Sequence, residues 1–415
     1  MVCLIAGAVV TLVLWIGLRR VIQTVVAGSL AIVFLTGDSN AAGVGLVIAS
    51  WLAIAFWHRA TGADEVRFPA AGIAALTGGV TVIGLASAVI SGIFVSGDFE
   101  LPHGAQARRV AMPSVYVLLF DGYPRADTLR TEFGYDNSPF ISQLEDRGFQ
   151  YYPNAVSPAA QSELTILSAL GVDVAANMPR PFEPAVDQRR MTRAQLRHAP
   201  GSAELSAAGY RRVHIASGVV HTNFSGWDEV IDTGQINEIE ARLLRRSPFG
   251  SLLGPWVRDQ RADRLEASLD ALVERADDDR QQVVLAHLMA PHPTFPFDPD
   301  GSEADLSCWS ERRCDLFEIR PEFLGLSADA YAAALSHTLD ALNAKAVRAV
   351  DDILEADPAA IIIIMSDHGA RHSGEVDEWY RSFLAARGTN AFDPEASPRD
   401  LFRRILADIE GTPEP

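Results

Sequence analysis

The sequence predicts an α/β sandwich with a mainly parallel central sheet over residues 112–415, preceded by four transmembrane helices within residues 1–96. Three observations carry this expectation. Apolar residues make up 48% of the chain, and they crowd its first 95 positions in four stretches free of Asp, Glu, Lys and Arg. Three continuous apolar runs recur later, of the kind found on strands buried on both faces of a parallel sheet. Helical patterns alternate with those runs, which is the signature of strand–helix–strand units.

The apolar stretches cover about residues 2–18, 21–36, 41–57 and 70–95. A bilayer core of ~30 Å is crossed by roughly 20 residues of helix, so the fourth spans comfortably and the second is marginal. The first lacks the basic start of a cleaved signal peptide. Arg19 and Arg20 join the first two stretches, and His58, Arg59 and Arg67 lie between the third and fourth, whereas Gly37–Asn40 carries no basic residue. Basic loops stay in the cytoplasm. The expected protein is therefore a multi-pass plasma-membrane protein, in contact with the lipid bilayer, whose amino terminus and large domain lie outside. Residues 97–111 shift to Gly, Asp, Pro, His and Arg and read as a linker.

Beyond the linker, Ser114–Phe120 is the first apolar run, Gln282–Leu288 the second and Ala360–Met365 the third. Helical patterns are expected at Pro139–Arg147, Ser162–Leu170 and Ala328–Leu354, the last with Leu335, Leu339, Leu342, Val350 and Leu354 near one face. A short helix is expected at Pro398–Ile409.

Charge and composition exclude several functions. A net charge of −18 opposes binding to a phosphate backbone, so no nucleic-acid partner is expected. Lys345 is the only lysine, which removes the G-x-x-x-x-G-K phosphate loop. Cys308 and Cys314 share one loop-like segment without further zinc ligands beside them, and an outward-facing compartment favours a disulfide between them. Cys3 lies in the first apolar stretch.

Ligands of parallel sheets bind beyond the carboxyl ends of the strands. There the sequence places Asp121-Gly122, then Ala290-Pro-His292-Pro, then Ser366-Asp367-His368-Gly369. Asp121, Asp367 and His368 supply two carboxylates and an imidazole, a set suited to a divalent cation with an open position. A hydroxyl at the start of the Ser162 helix, where free N–H groups favour an anion, could attack phosphorus. Ser162 is the leading candidate, Thr165 and Ser157 compete with it, and Ser162 also suits a helix N-cap.

These landmarks, with Phe133-Gly-Tyr-Asp-Asn-Ser-Pro-Phe140, the Asn154–Leu170 segment and His287-x-x-x-x-His292-Pro, resemble sulfatase-like membrane proteins of the alkaline phosphatase superfamily. Lipoteichoic acid synthases and phosphoethanolamine transferases are relatives within it. The resemblance covers Ser114 to Arg387. It implies an alkaline-phosphatase-like sandwich in which Asp121, Ser162, Asp367 and His368 hold a metal, Ser162 becomes phosphorylated, and His292 binds the transferred group or protonates the leaving oxygen. No Cys-x-Pro-Ser-Arg or Ser-x-Pro-Ser-Arg motif surrounds Ser162, which sets aside a formylglycine-dependent sulfatase.

Three further residues could support the site. His287 lies inside an apolar strand and reads equally as a core histidine, while His372 and Glu375 follow the Asp-His-Gly turn closely enough to reach the pocket. The ion expected is zinc, manganese, magnesium or calcium, since all accept such ligands. The expected activity is phosphoester hydrolysis or phosphoryl-group transfer on envelope lipid headgroups or glycans. A hydrolase of sulfate esters or soluble phosphoesters, and an inactive scaffold for envelope assembly, are the rival readings.

Overall fold

The structure, a computed structural model, describes residues 112–174, 195–196, 198–223, 226–246, 250–293, 295, 297, 326–371, 375–392 and 397–411. The four expected transmembrane helices, the linker, the Cys308–Cys314 disulfide and His372 lie outside those residues. No described helix is long and apolar enough to cross a membrane.

Seven strands form one sheet in the order β2-β7-β6-β1-β5-β3-β4. The strands are β1 (Val115–Asp121), β2 (Gln150–Tyr151), β3 (Arg211–Ala216), β4 (Glu229–Asp232), β5 (Gln282–Pro291), β6 (Ile361–Ser366) and β7 (Leu384–Arg387). From β6 to β4 every neighbour is parallel, and only β7, which pairs antiparallel with both β6 and the edge strand β2, runs the other way. The three apolar runs of the sequence thus become the three adjacent strands β6, β1 and β5.

Helices cover both faces. The described helices are α1 (Ala126–Phe133), α2 (Ser138–Glu145), α3 (Ser162–Ala169), α4 (Pro200–Ala207), α5 (Glu238–Arg246), α6 (Gly250–Glu274), α7 (Ala328–Ala356) and α8 (Leu401–Glu410). Tyr116, Leu118 and Phe120 of β1 point into a core with Leu265, Leu269 and Leu272 of α6 and Leu335, Leu339 and Leu342 of α7. Val115, Val117 and Leu119 point into the opposite core, with Leu164 and Leu167 of α3, Leu205 of α4 and Leu401 and Ile405 of α8. Successive strand residues face opposite ways, so a strand covered on both sides must be apolar throughout. Each such side chain contributes about 1.5–3 kcal/mol on full burial.

The expected helices form within a few residues of their predicted ends. On α7 the face of Leu335, Leu339, Leu342 and Val350 is buried, and the Ser327 hydroxyl caps it by accepting the Ala330 N–H at 3.2 Å. Strands β3 and β4 and helices α4 to α6 had no clear signal. Strand β3 begins with two adjacent arginines and carries a histidine among its apolar residues, and α6 carries Pro255 inside it.

Candidate metal centre

Because β1 lies between β5 and β6, the carboxyl ends of three neighbouring parallel strands meet at one place. Asp121 ends β1, His287 lies in β5 opposite Leu119, and Asp367 and His368 directly follow β6. Between Phe120 and Asp121 the register with β5 slips, so that Phe120 pairs with Leu288 but Asp121 pairs with Pro291. That irregularity turns the end of β5 over the site and brings His292 to it.

All of these side chains are buried. His287 Nε2 lies 3.3 Å from Asp121 Oδ2, and His368 Nε2 lies 3.4 Å from Asp121 Oδ1. One ligand atom each of Asp121, His287 and Asp367 fall within 4.8 Å of one another. Ser162 occupies the first turn of α3, and its Oγ sits 3.2 Å from Asp121 Oδ2. Gln161 takes the N-cap place that the sequence offered to Ser162, which frees the serine hydroxyl to face the carboxylate.

The hydrogen bonds fix which atoms face inward. Asp367 Oδ1 accepts the N–H groups of Gly122 at 2.9 Å and His368 at 2.7 Å, leaving Oδ2 toward the cluster. His368 Nδ1–H donates to the Gly369 carbonyl at 2.9 Å. His287 Nδ1 lies 3.1 Å from Thr222 Oγ1, whose own proton goes to the Val219 carbonyl, so the imidazole is the donor. In their neutral forms both imidazoles therefore turn a bare Nε2 toward Asp121.

Lone pairs facing carboxylate oxygens at such distances repel unless a positive charge lies among them. Asp121 Oδ1, Asp367 Oδ2, His287 Nε2 and His368 Nε2 are all buried without a hydrogen-bond partner among the described residues. Four orphaned atoms of the right chemistry fit a divalent cation, with the Ser162 hydroxyl as a further oxygen donor.

The electrostatics agree. Burial pushes the Asp121 carboxyl up, but His292, His287 and His368 outweigh it and hold the group well below the usual range. Burial and the neighbouring Asp121 raise Asp367, partly offset by His368, His287 and the Ser162 hydroxyl. Burial works against a proton on His368, yet Asp367 and Asp121 carry its pKa above the ordinary value. His292 is driven down to about 4 by burial, against the attraction of Asp121 and with Arg261 and His368 adding to the fall.

The other hydroxyl candidates have different work. Thr165 Oγ1 donates to the Asp367 carbonyl at 2.7 Å, and Ser157 Oγ bonds that same carbonyl and lies 2.9 Å from Thr165 Oγ1. They hold the strand end that carries Asp367. Glu375 is exposed and supports the following 3₁₀ turn (Val376–Trp379) through its carbonyl, which accepts the Glu378 N–H at 3.1 Å.

Three contributors escaped the sequence reading. Thr222 orients His287, Arg261 bonds the carbonyls of Met289 and His292 at 3.0 Å each, and Arg371 lines the mouth beside His292. Thr222 and Arg261 belong to segments without an apolar-run signal. Arg371 was within reach, lying three residues after His368.

No family model matches the sequence, and no curated protein matches it. Among solved structures, the chain is similar to the C-terminal periplasmic domain of EcEptC from Escherichia coli in complex with zinc. The identity is 12%, over 73% of this chain and 83% of that one, with a TM-score of 0.46. It is similar to the soluble domain of lipooligosaccharide phosphoethanolamine transferase A from Neisseria meningitidis, at 10% identity over 68% and 79% of the two chains and a TM-score of 0.40. The lipoteichoic acid synthase LtaP from Listeria monocytogenes is 11% identical over 75% and 76%, with a TM-score of 0.41.

Proposed function

We propose that residues 112–415 form a metal-dependent phosphoester hydrolase or phosphoryl-group transferase of the sulfatase-like type in the alkaline phosphatase superfamily. Residues 1–96 anchor it in the plasma membrane, with the catalytic domain outside and envelope lipid headgroups or glycans as substrates. The observation that carries the chemistry is Ser162 Oγ at 3.2 Å from Asp121, within a buried cluster whose orphaned atoms suit a cation. The anchoring rests on the four apolar stretches and their flanking charges.

Ser162 attacks phosphorus through Oγ, forming the Oγ–P bond as the bond to the leaving oxygen breaks. Asp121, His287, Asp367 and His368 would hold a divalent cation, which would lower the pKa of the hydroxyl so that its proton leaves to solvent before the attack, and would neutralise charge on the phosphoryl oxygens. The N–H groups of the first turn of α3 have no helical acceptor and are free to bind a phosphoryl oxygen. His292 commits Nδ1–H to the Pro293 carbonyl and burial drives its pKa down to about 4, so it takes up a mobile proton at Nε2 once the negative charge of a phosphoryl group lies beside it. From Nε2 that proton passes to the leaving oxygen. In the second half, water or an acceptor hydroxyl gives its proton to Nε2 and attacks phosphorus, releasing Ser162.

The test is mass spectrometry of the full chain after incubation with phospholipids carrying a labelled headgroup. A labelled phosphoryl adduct on Ser162, absent from Ser162→Ala, is expected. Unchanged turnover by Ser162→Ala would overturn the mechanism. Transfer of label to an acceptor marks a transferase, and its release to water a hydrolase.

A further inference from the structure

Beside the cluster a recess opens, lined on its polar part by His292, His368 and Arg371 and on its apolar part by Phe295 and Tyr331. Among the described residues, Arg371 is the only lysine or arginine of that lining. It is half-buried, yet among the described residues it makes no hydrogen bond or ion pair. Other arginines near the strand ends are engaged. Arg125 pairs with Asp127 at 2.7 Å, Arg381 with Glu378 at 2.6 Å, and Arg261 holds two carbonyls.

Charge arithmetic gives that free guanidinium a role. Asp121 and Asp367 together offset the formal charge of a divalent ion, so a further cation beside the centre adds to the attraction an incoming anion feels. The Nε2 atoms of His287 and His368 are already turned to Asp121, which leaves the Arg371 guanidinium to face the recess. The planar fork of arginine matches two oxygens of one phosphoryl group.

We propose that Arg371 binds the non-reacting oxygens of the substrate's phosphoryl group, making it the residue that selects an anionic ester at this recess. This rests on the proposed phosphoester reaction, but it is measurable without turnover. Inorganic phosphate is titrated calorimetrically into the full chain in detergent with divalent cation present. Arg371→Gln is expected to weaken phosphate binding about tenfold and to reduce its salt dependence, with Arg371→Lys between the two. Equal affinity in Arg371→Gln and the parent would overturn the inference, as would a parent that binds no phosphate. Loss of phosphate binding in Arg371→Gln, alongside undiminished turnover in Ser162→Ala, would sustain the anion site and sink the serine mechanism instead.

Discussion

Asp121 is shared between two imidazoles: its Oδ2 lies 3.3 Å from Nε2 of His287, and its Oδ1 lies 3.4 Å from Nε2 of His368. Both rings are held by their Nδ1 atoms, so neither can turn away without breaking a buried hydrogen bond. Such a site is prepared for a cation before the cation arrives.

Removal of divalent ions by a chelator should lower the melting temperature, and their return should restore it. A ligand at about 100 times its Kd stabilises the folded state by about 2.7 kcal/mol. Asp121→Asn should melt at the same temperature with and without the ion. Elemental analysis of the purified chain identifies the metal.

Ser162→Ala should reduce turnover by about 10³-fold or more, the scale of losing a nucleophile, while leaving the melting temperature nearly unchanged. Thr165→Val should do the reverse in emphasis. It removes a buried bond to the Asp367 carbonyl and should cost about 1–2 kcal/mol in urea denaturation, with a smaller loss of rate.

Gly369→Ala should unfold the region behind His368. A Cβ at that position falls inside contact distance of the Glu378 and Arg381 carbonyl oxygens, which are backbone atoms and cannot swing aside. A loss of about 3 kcal/mol or more is expected by thermal melting. Gly134→Ala meets no atom within 4 Å and bears only the strain of φ +67°, about 1–2 kcal/mol.

His214 should make the domain acid-sensitive. Burial, with His287 adding, drives its pKa down to about 3, so the folded protein keeps it neutral. Unfolded, it takes up a proton below pH ~6.5. The unfolded state therefore binds more protons between those values, and stability falls as pH falls from about 6.5 toward 3. The full effect is on the order of 5 kcal/mol. His214→Gln should flatten that part of a stability–pH curve measured by denaturant titration.

Much of the centre was legible along the chain because its acidic ligands and His368 close apolar runs. Asp121 and the Asp367-His368 pair stand directly after runs that could only be buried parallel strands, and ligands collect at that end of such sheets. His287 was harder to read. Inside the run Gln282–Leu288 it looks like a core histidine, and only its place beside Asp121 separates the two roles. Thr222, Arg261 and the two hydroxyls behind Asp367 gave no local pattern, because each acts on a residue at least 28 positions away.

By itself the sequence determined the strand–helix alternation, the apolar cores of β1, β5 and β6, and the residue types at their ends, since periodicity and burial are local properties of the chain. Only the tertiary structure decided that β1 runs between β5 and β6, that Ser162 rather than Ser157 or Thr165 faces Asp121, and which nitrogen each histidine presents. Those choices depend on strand order and on hydrogen bonds between distant segments, which no local pattern encodes.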